Sequence, residues 1–129
     1  MDYYGWLNSL VEILVKELEE ELGKDFIYDW EMALAAAKHS EAMIWRGYCY
    51  HAPKEYWGAA RAELAGDAFT SYNDWAIERA IKSIAQGFMA SPDHHPFLRL
   101  YSVIGGGIAF GQTGREGEIR IYVTVRLRN

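Results

Sequence analysis

The residues with chemistry to offer are few and sit in two short stretches. Ser91-Pro92-Asp93-His94-His95-Pro96 puts adjacent histidines at a proline-bounded helix end. A third imidazole, His51, stands in a second loop marked by Gly47 and Pro53, ahead of Glu63 in the chain. Imidazole titrates near neutrality and is a common ligand of divalent metals. Two imidazoles and a carboxylate with an open position suit a borderline ion, zinc by preference. Without metal, the same groups suit general acid–base work. His51, His94 and Glu63 are therefore the candidate set, with His95 as an alternate to His94.

Each other reactive residue has a functional and a structural reading. His39 lies in mid-helix one turn before Met43, where a buried, hydrogen-bonded packing role is the simpler one. Cys49 lies between Tyr48 and Tyr50. A nucleophilic thiol needs an activating neighbour, and His51 at i+2 on an extended segment would point to the same side. Tyr48, Tyr50 and Trp57 surround His51 in sequence and form either an apolar ligand groove or a small core beneath a loop. Arg120, Arg126 and Arg128 line one face of a strand, as a basic stripe or as a solvated face.

The elements that must position these groups follow from periodicity. Tyr3, Trp6, Leu7, Leu10, Leu14, Leu18 and Leu22 recur at helical spacing and end at Gly23. Asp29 caps a second helix from Trp30 to about Arg46, closed by Gly47 and apolar nearly all round. A short third helix is expected from Pro53 to about Leu64. A fourth runs from Trp75 to about Ala90, with Ile77, Ile81, Ile84 and Phe88 as its core stripe and Pro92 as its stop. Residues 118 to 128 alternate without a break, which reads as a half-buried strand at a sheet edge. It pairs with residues 101 to 110 through a glycine-containing turn. Helices first and a hairpin last make an α+β chain.

The chain has 129 residues, half of them apolar and 15% aromatic, which is enough for one globular core. We expect a single domain over residues 1–129. The net charge of −5 argues against nucleic acid as a partner. The single cysteine excludes an internal disulfide. No apolar run reaches the length of a transmembrane segment, and the N-terminus reads as an amphipathic helix rather than a signal peptide. The chain as written fits the cytoplasm; a trimmed leader would make it secreted or cell-surface.

The order of landmarks resembles the CAP superfamily: cysteine-rich secretory, antigen 5 and pathogenesis-related proteins, here in a small bacterial or archaeal SCP-like form. Trp30-Glu31-Met32-Ala33-Leu34-Ala35 is similar to the family's Trp-x-x-x-Leu-Ala helix start. Ala37 to Met43, then Gly47 and His51, resembles Ala-x-x-His-Ser-x-x-Met…Gly…His. Ala62-Glu63-Leu64-Ala65-Gly66 resembles a decayed Gly-Glu-Asn-Ile, and Ser91-Pro92-Asp93-His94 resembles Ser-Pro-Gly-His. Ile104 to Ala109 and Ile121 to Thr124 resemble the family's last two strands.

The resemblance implies an α-β-α sandwich, with an antiparallel sheet and its C-terminal hairpin packed between helices. It also implies a cleft of two histidines and two acids that often takes a divalent metal. Carried over, His51 and His94 match the two histidines and Glu63 one acid. The second acid has no clean match; Glu78 stands too early on the fourth helix and pairs more simply with Lys82. The function expected is a cleft for a divalent ion, zinc first, or for a small polar or peptide ligand. The alternatives are a metal-dependent or histidine-based hydrolase and a non-catalytic lipid- or sterol-binding module. Oligomeric state is left open.

Overall fold

A computed structural model describes residues 2–129. Helix α1 spans Tyr3–Leu22 and is started by the Asp2 carboxylate, which accepts from the Gly5 N–H at 2.7 Å. Gly23 ends it in the left-handed conformation that a residue without Cβ adopts freely. Strand β1 (Ile27–Tyr28) leads into α2 (Trp30–Arg46), capped by Asp29 through the Met32 N–H at 3.0 Å. After a 3₁₀ turn at Lys54–Tyr56 come β2 (Ala62–Ser71), α3 (Asp74–Ala90, capped by Asn73), the one-and-a-half-turn α4 (His95–Leu100), β3 (Val103–Gln112) and β4 (Glu118–Arg128).

The sheet order is β1-β3-β4-β2. β4 runs antiparallel to β3 on one side and to β2 on the other over ten residue pairs each, while β1 joins β3 in parallel through Ile27↔Val103 and Tyr28↔Ile104. One face packs on α1, α3 and α4. Leu14, Leu18, Ile81 and Leu98 meet Leu64, Ile104, Ile121, Val123, Val125 and Leu127 there, all nearly inaccessible. The other face is covered by α2. The α-β-α sandwich expected from the sequence is the architecture observed.

Three sequence-based expectations are corrected. The helix expected over Pro53–Leu64 is confined to one 3₁₀ turn, and residues 62–64 open β2 instead. Helix-favouring Ala62, Glu63 and Leu64 are overridden by the ladder with β4, which the Arg61 N–H begins at the Leu127 carbonyl. The sheet is mixed rather than purely antiparallel, because β1 joins it in parallel. β4 is central, not an edge. Its polar face is buried against α2 and the loop after it: Thr124 Oγ1 shares a 2.9 Å hydrogen bond with Ser40 Oγ, and Arg126 is 2% exposed.

The glycine run of β3 explains how α2 comes so near. A Cβ on Gly105 would stand 2.5 Å from the Ala33 backbone nitrogen, and one on Gly107 would run into the backbone of Ala37. Ser40 then donates to the Gly107 carbonyl at 2.9 Å. This contact sets the height of α2 over the sheet, and with it the start of the loop that carries His51.

Candidate active-site cleft

An open cleft of about 960 Å³ lies between the loop after α2 and the turn after α3. His51 and His94 are both on its wall, with Glu63 at its back. Three elements bring them together from distant parts of the chain. His51 is the last residue before Ala52-Pro53 in the loop that leaves α2. Glu63 is the second residue of β2. His94 is held by the Ser91 turn that ends α3: the His94 and His95 N–H groups donate to the Ser91 carbonyl at 3.2 and 2.9 Å, and the Asp93 N–H donates to Ser91 Oγ at 3.2 Å.

Glu63 is the fixed point. Its side chain has no exposed surface. Oε2 accepts from Arg126 Nε at 3.0 Å, and Arg126 Nη2 lies 3.0 Å away in the same ion pair. Oε1 accepts from the Ala52 N–H at 2.8 Å and from His51 Nδ1 at 3.2 Å. Register explains the ion pair, since Glu63 and Arg126 are directly opposite on β2 and β4. Arg126 Nη1 also donates to the Tyr56 carbonyl at 3.1 Å, which ties the 3₁₀ turn to the sheet. Buried His39 stands behind, with Nε2 at 2.7 Å from the Tyr50 carbonyl and 4.0 Å from Glu63 Oε1.

This arrangement fixes the state of His51. A carboxylate can only accept, so Nδ1 carries a proton, and in the neutral ring Nε2 is the nitrogen with the lone pair. Nε2 has no hydrogen-bond partner among the described residues. The His94 ring packs edge-on against Phe88, with centroids 5.4 Å apart, and lies 6.5 Å from the His51 ring. Burial first, and the neighbouring His51 second, push the His94 pKa below its ordinary value, against a smaller opposing pull from Asp93. The His94 ring is thus suited to act as a neutral nitrogen donor.

The other predicted residues fall elsewhere. His95 turns away to accept from Arg99 Nε at 2.8 Å, one helical turn on. Glu78 is half-exposed on α3 and pairs with Lys82 at 3.7 Å, off the cleft. Tyr48 and Tyr50 pack on each other, and Tyr50 packs on His39; of the expected aromatic groove, only Trp57 lines the cleft. Cys49 is half-buried, and burial pushes its thiol pKa up, opposite to what a nucleophile requires. Arg120 and Arg128 pair with Asp67 (2.7 Å) and Asp29 (3.0 Å) rather than forming a free basic stripe. Arg126 is the participant the sequence did not reveal.

With both Glu63 oxygens engaged, no group of three or more histidine, cysteine, aspartate or glutamate side chains is placed to hold an ion among the described residues. Two imidazoles are the donors left, and any ion they held would keep water or ligand in its other positions. They do not suit a closed structural zinc site, which takes four protein ligands.

Solved structures with this fold align over most of the chain. An outer surface protein of Borrelia burgdorferi aligns with a TM-score of 0.59 at 15% identity, covering 94% of this chain and 93% of that one. Venom allergen-like protein 4 of Schistosoma mansoni aligns at 0.50 and 9% identity, covering 95% and 89%. NaASP2, solved with Zn2+, aligns at 0.50 and 8% identity, covering 92% and 77%. At these identities the likeness is one of fold. No protein-family model matches the sequence, and no curated protein is significantly similar to it.

Proposed function

We propose that the protein is a ligand-binding domain of the CAP type, with His51 and His94 as the paired donors of its cleft and Glu63 as the residue that positions His51. The observation that carries this reading is the chain Arg126–Glu63–His51, which runs from a buried ion pair to a ring exposed at the cleft. A metal-binding histidine commonly gives its other ring N–H to a carboxylate, which fixes tautomer and ring orientation. Glu63 occupies that place. His51 and His94 would hold a divalent ion through ring nitrogens, and such an ion supplies Lewis-acid polarisation of an oxygen bound beside it. The chain's own residues orient one ring, keep the other neutral and leave the cleft open to a second molecule. The solution of NaASP2 with Zn2+ makes zinc the first ion to test.

The test is zinc titration calorimetry on wild type, His51→Ala, His94→Ala and Glu63→Gln. One-to-one binding at micromolar affinity, lost in both histidine variants and weakened about 10- to 100-fold in Glu63→Gln, is the expected result. Binding that either histidine variant leaves unchanged overturns the reading.

An apolar-ligand function has one observation of its own. A groove of about 510 Å³ lies between α1 and α2 over β3, lined by Tyr4, Leu7, Val11, Trp30, Ala33 and Leu34. Leu34 is 61% exposed and Trp30 62%. A fluorescent fatty-acid probe displaced by Leu34→Glu, but not by His51→Ala, would assign lipid binding there.

A further inference from the structure

We infer that the molecule received by the cleft carries a carboxylate, bound by Lys54 and Arg61, with an apolar body lying against Trp57. This deepens the reading of His51 and His94 as a binding site and rests on it.

Charge makes the first argument. The chain as a whole is acidic, at −5, yet the cleft is not. Its one buried acid, Glu63, is neutralised by Arg126. Of the remaining charged groups on its wall, Lys54 and Arg61 are cations without an ion pair among the described residues, and Asp93 is the single free acid. A cationic ligand would meet like charge and find Glu63 already taken. A carboxylate meets two cations without an ion pair among the described residues, and charge-assisted hydrogen bonds of this kind are the strong ones.

The wall supplies the second argument. The Trp57 indole N–H is spent on the Ala52 carbonyl at 2.9 Å, which fixes the ring. Lys54 Nζ hangs 5.9 Å from its centroid. Pro53, Pro96 and the 39%-exposed Phe97 continue the apolar surface. A charge at the rim and a rigid indole beside it select an amphiphilic acid rather than a bare inorganic anion. The backbone that carries both side chains is fixed. Lys54 sits in the 3₁₀ turn, tied to Arg126 through the Tyr56 carbonyl at 3.1 Å, and the Arg61 N–H is fastened to the Leu127 carbonyl at 2.7 Å. The same chemistry is offered by a small free acid and by the C-terminus of a peptide.

The test uses phenylacetate and its neutral counterpart phenylacetamide, with acetyl-Ala-Phe as acid and as amide for the peptide source. Amide and indole N–H shifts are followed by NMR in EDTA. The acids should bind on the order of tenfold tighter than their amides, the scale of one charge-assisted hydrogen bond. They should move the Trp57 indole signal and weaken as salt is raised. The exposed Lys54→Met/Arg61→Met pair should erase the preference at unchanged Tm. Tighter binding of acetyl-Ala-Phe than of phenylacetate points to a peptide end; the reverse points to a small acid. Equal binding of acid and amide, or a preference that survives the double variant, overturns the inference. Repeating the titration with zinc separates the two claims. A carboxylate preference without a zinc response leaves this inference standing and removes the ion. Zinc binding without the preference does the opposite.

Discussion

Removing Arg126 should be among the most damaging single changes in this protein. Arg126→Met deletes the ion pair with Glu63 and two hydrogen bonds, one to Glu63 Oε2 and one to the Tyr56 carbonyl, from a side chain that is 3% exposed. What remains is a carboxylate with no exposed surface and only the Ala52 N–H and His51 Nδ1 to hold it. Breaking a buried pair from one side costs about 3–5 kcal/mol, because the surviving charge is left uncompensated. Glu63→Leu strands the guanidinium and should cost a similar amount. The double variant removes both charges, turns the exposed His51 Nδ1 over to water, and leaves the Ala52 N–H and Tyr56 carbonyl without partners, at about 1–3 kcal/mol each. Its loss should therefore fall short of additivity by about 4 kcal/mol at the middle of these ranges. Urea unfolding of the four proteins, followed by circular dichroism at neutral pH, reads the cycle directly. Additive losses, or an Arg126→Met cost below about 1 kcal/mol, would mean that the pair is solvated and that Glu63 is not the rigid support argued for His51.

Three further predictions concern parts of the fold that hold the site in place. Gly107→Ala should destabilise by at least about 1–3 kcal/mol, since its Cβ meets the Ala37 backbone rather than a side chain that can move; Gly114→Ala, in open space but at positive φ, should not displace α2 in an NMR comparison. The Met32 N–H and, next, the Arg128 guanidinium hold the Asp29 carboxyl below its ordinary pKa. Its contribution is therefore full above the unfolded value near 3.9 and is lost as pH falls through the lower folded value. Asp29→Asn keeps a capping group, so wild type should exceed it by about 0.2–1 kcal/mol at pH 7 and by nothing in strong acid, measured by urea unfolding across pH. Cys49 should react with a disulfide reagent at neutral pH at least about tenfold more slowly than a free thiol, as its burial and raised pKa require; reaction at the free-thiol rate would reopen the Cys49–His51 pairing.

Helix boundaries were legible where capping and periodicity agreed. Trp30–Arg46 lies between Asp29 and Gly47 as the sequence indicated, and β4 begins and ends where its alternation does. β2 was not legible, because Ala62, Glu63 and Leu64 favour a helix in isolation and become a strand only by pairing with β4. Misplacing that strand also hid Arg126. On an edge strand the alternating arginines read as a solvated face; in a central strand each needs a buried or half-buried carboxylate, and Asp67, Glu63 and Asp29 supply them. The meeting of His51, Glu63 and His94 was inferred from the order of landmarks alone. What no local pattern could supply was the division of labour. Whether Glu63 faces the cleft or backs a histidine depends on which residue stands opposite it across the sheet.

The claim at the centre of this account is that Glu63 fixes His51 with Nδ1 protonated and Nε2 presented beside His94. Long-range proton–nitrogen correlation of the histidine rings, recorded at neutral pH before and after zinc, tests it most directly. The neutral fraction of His51 should be in the Nδ1–H form, its Nε2 shifting on zinc addition together with one nitrogen of His94. A His51 ring in the Nε2–H form, or a zinc response confined to one ring, would contradict it.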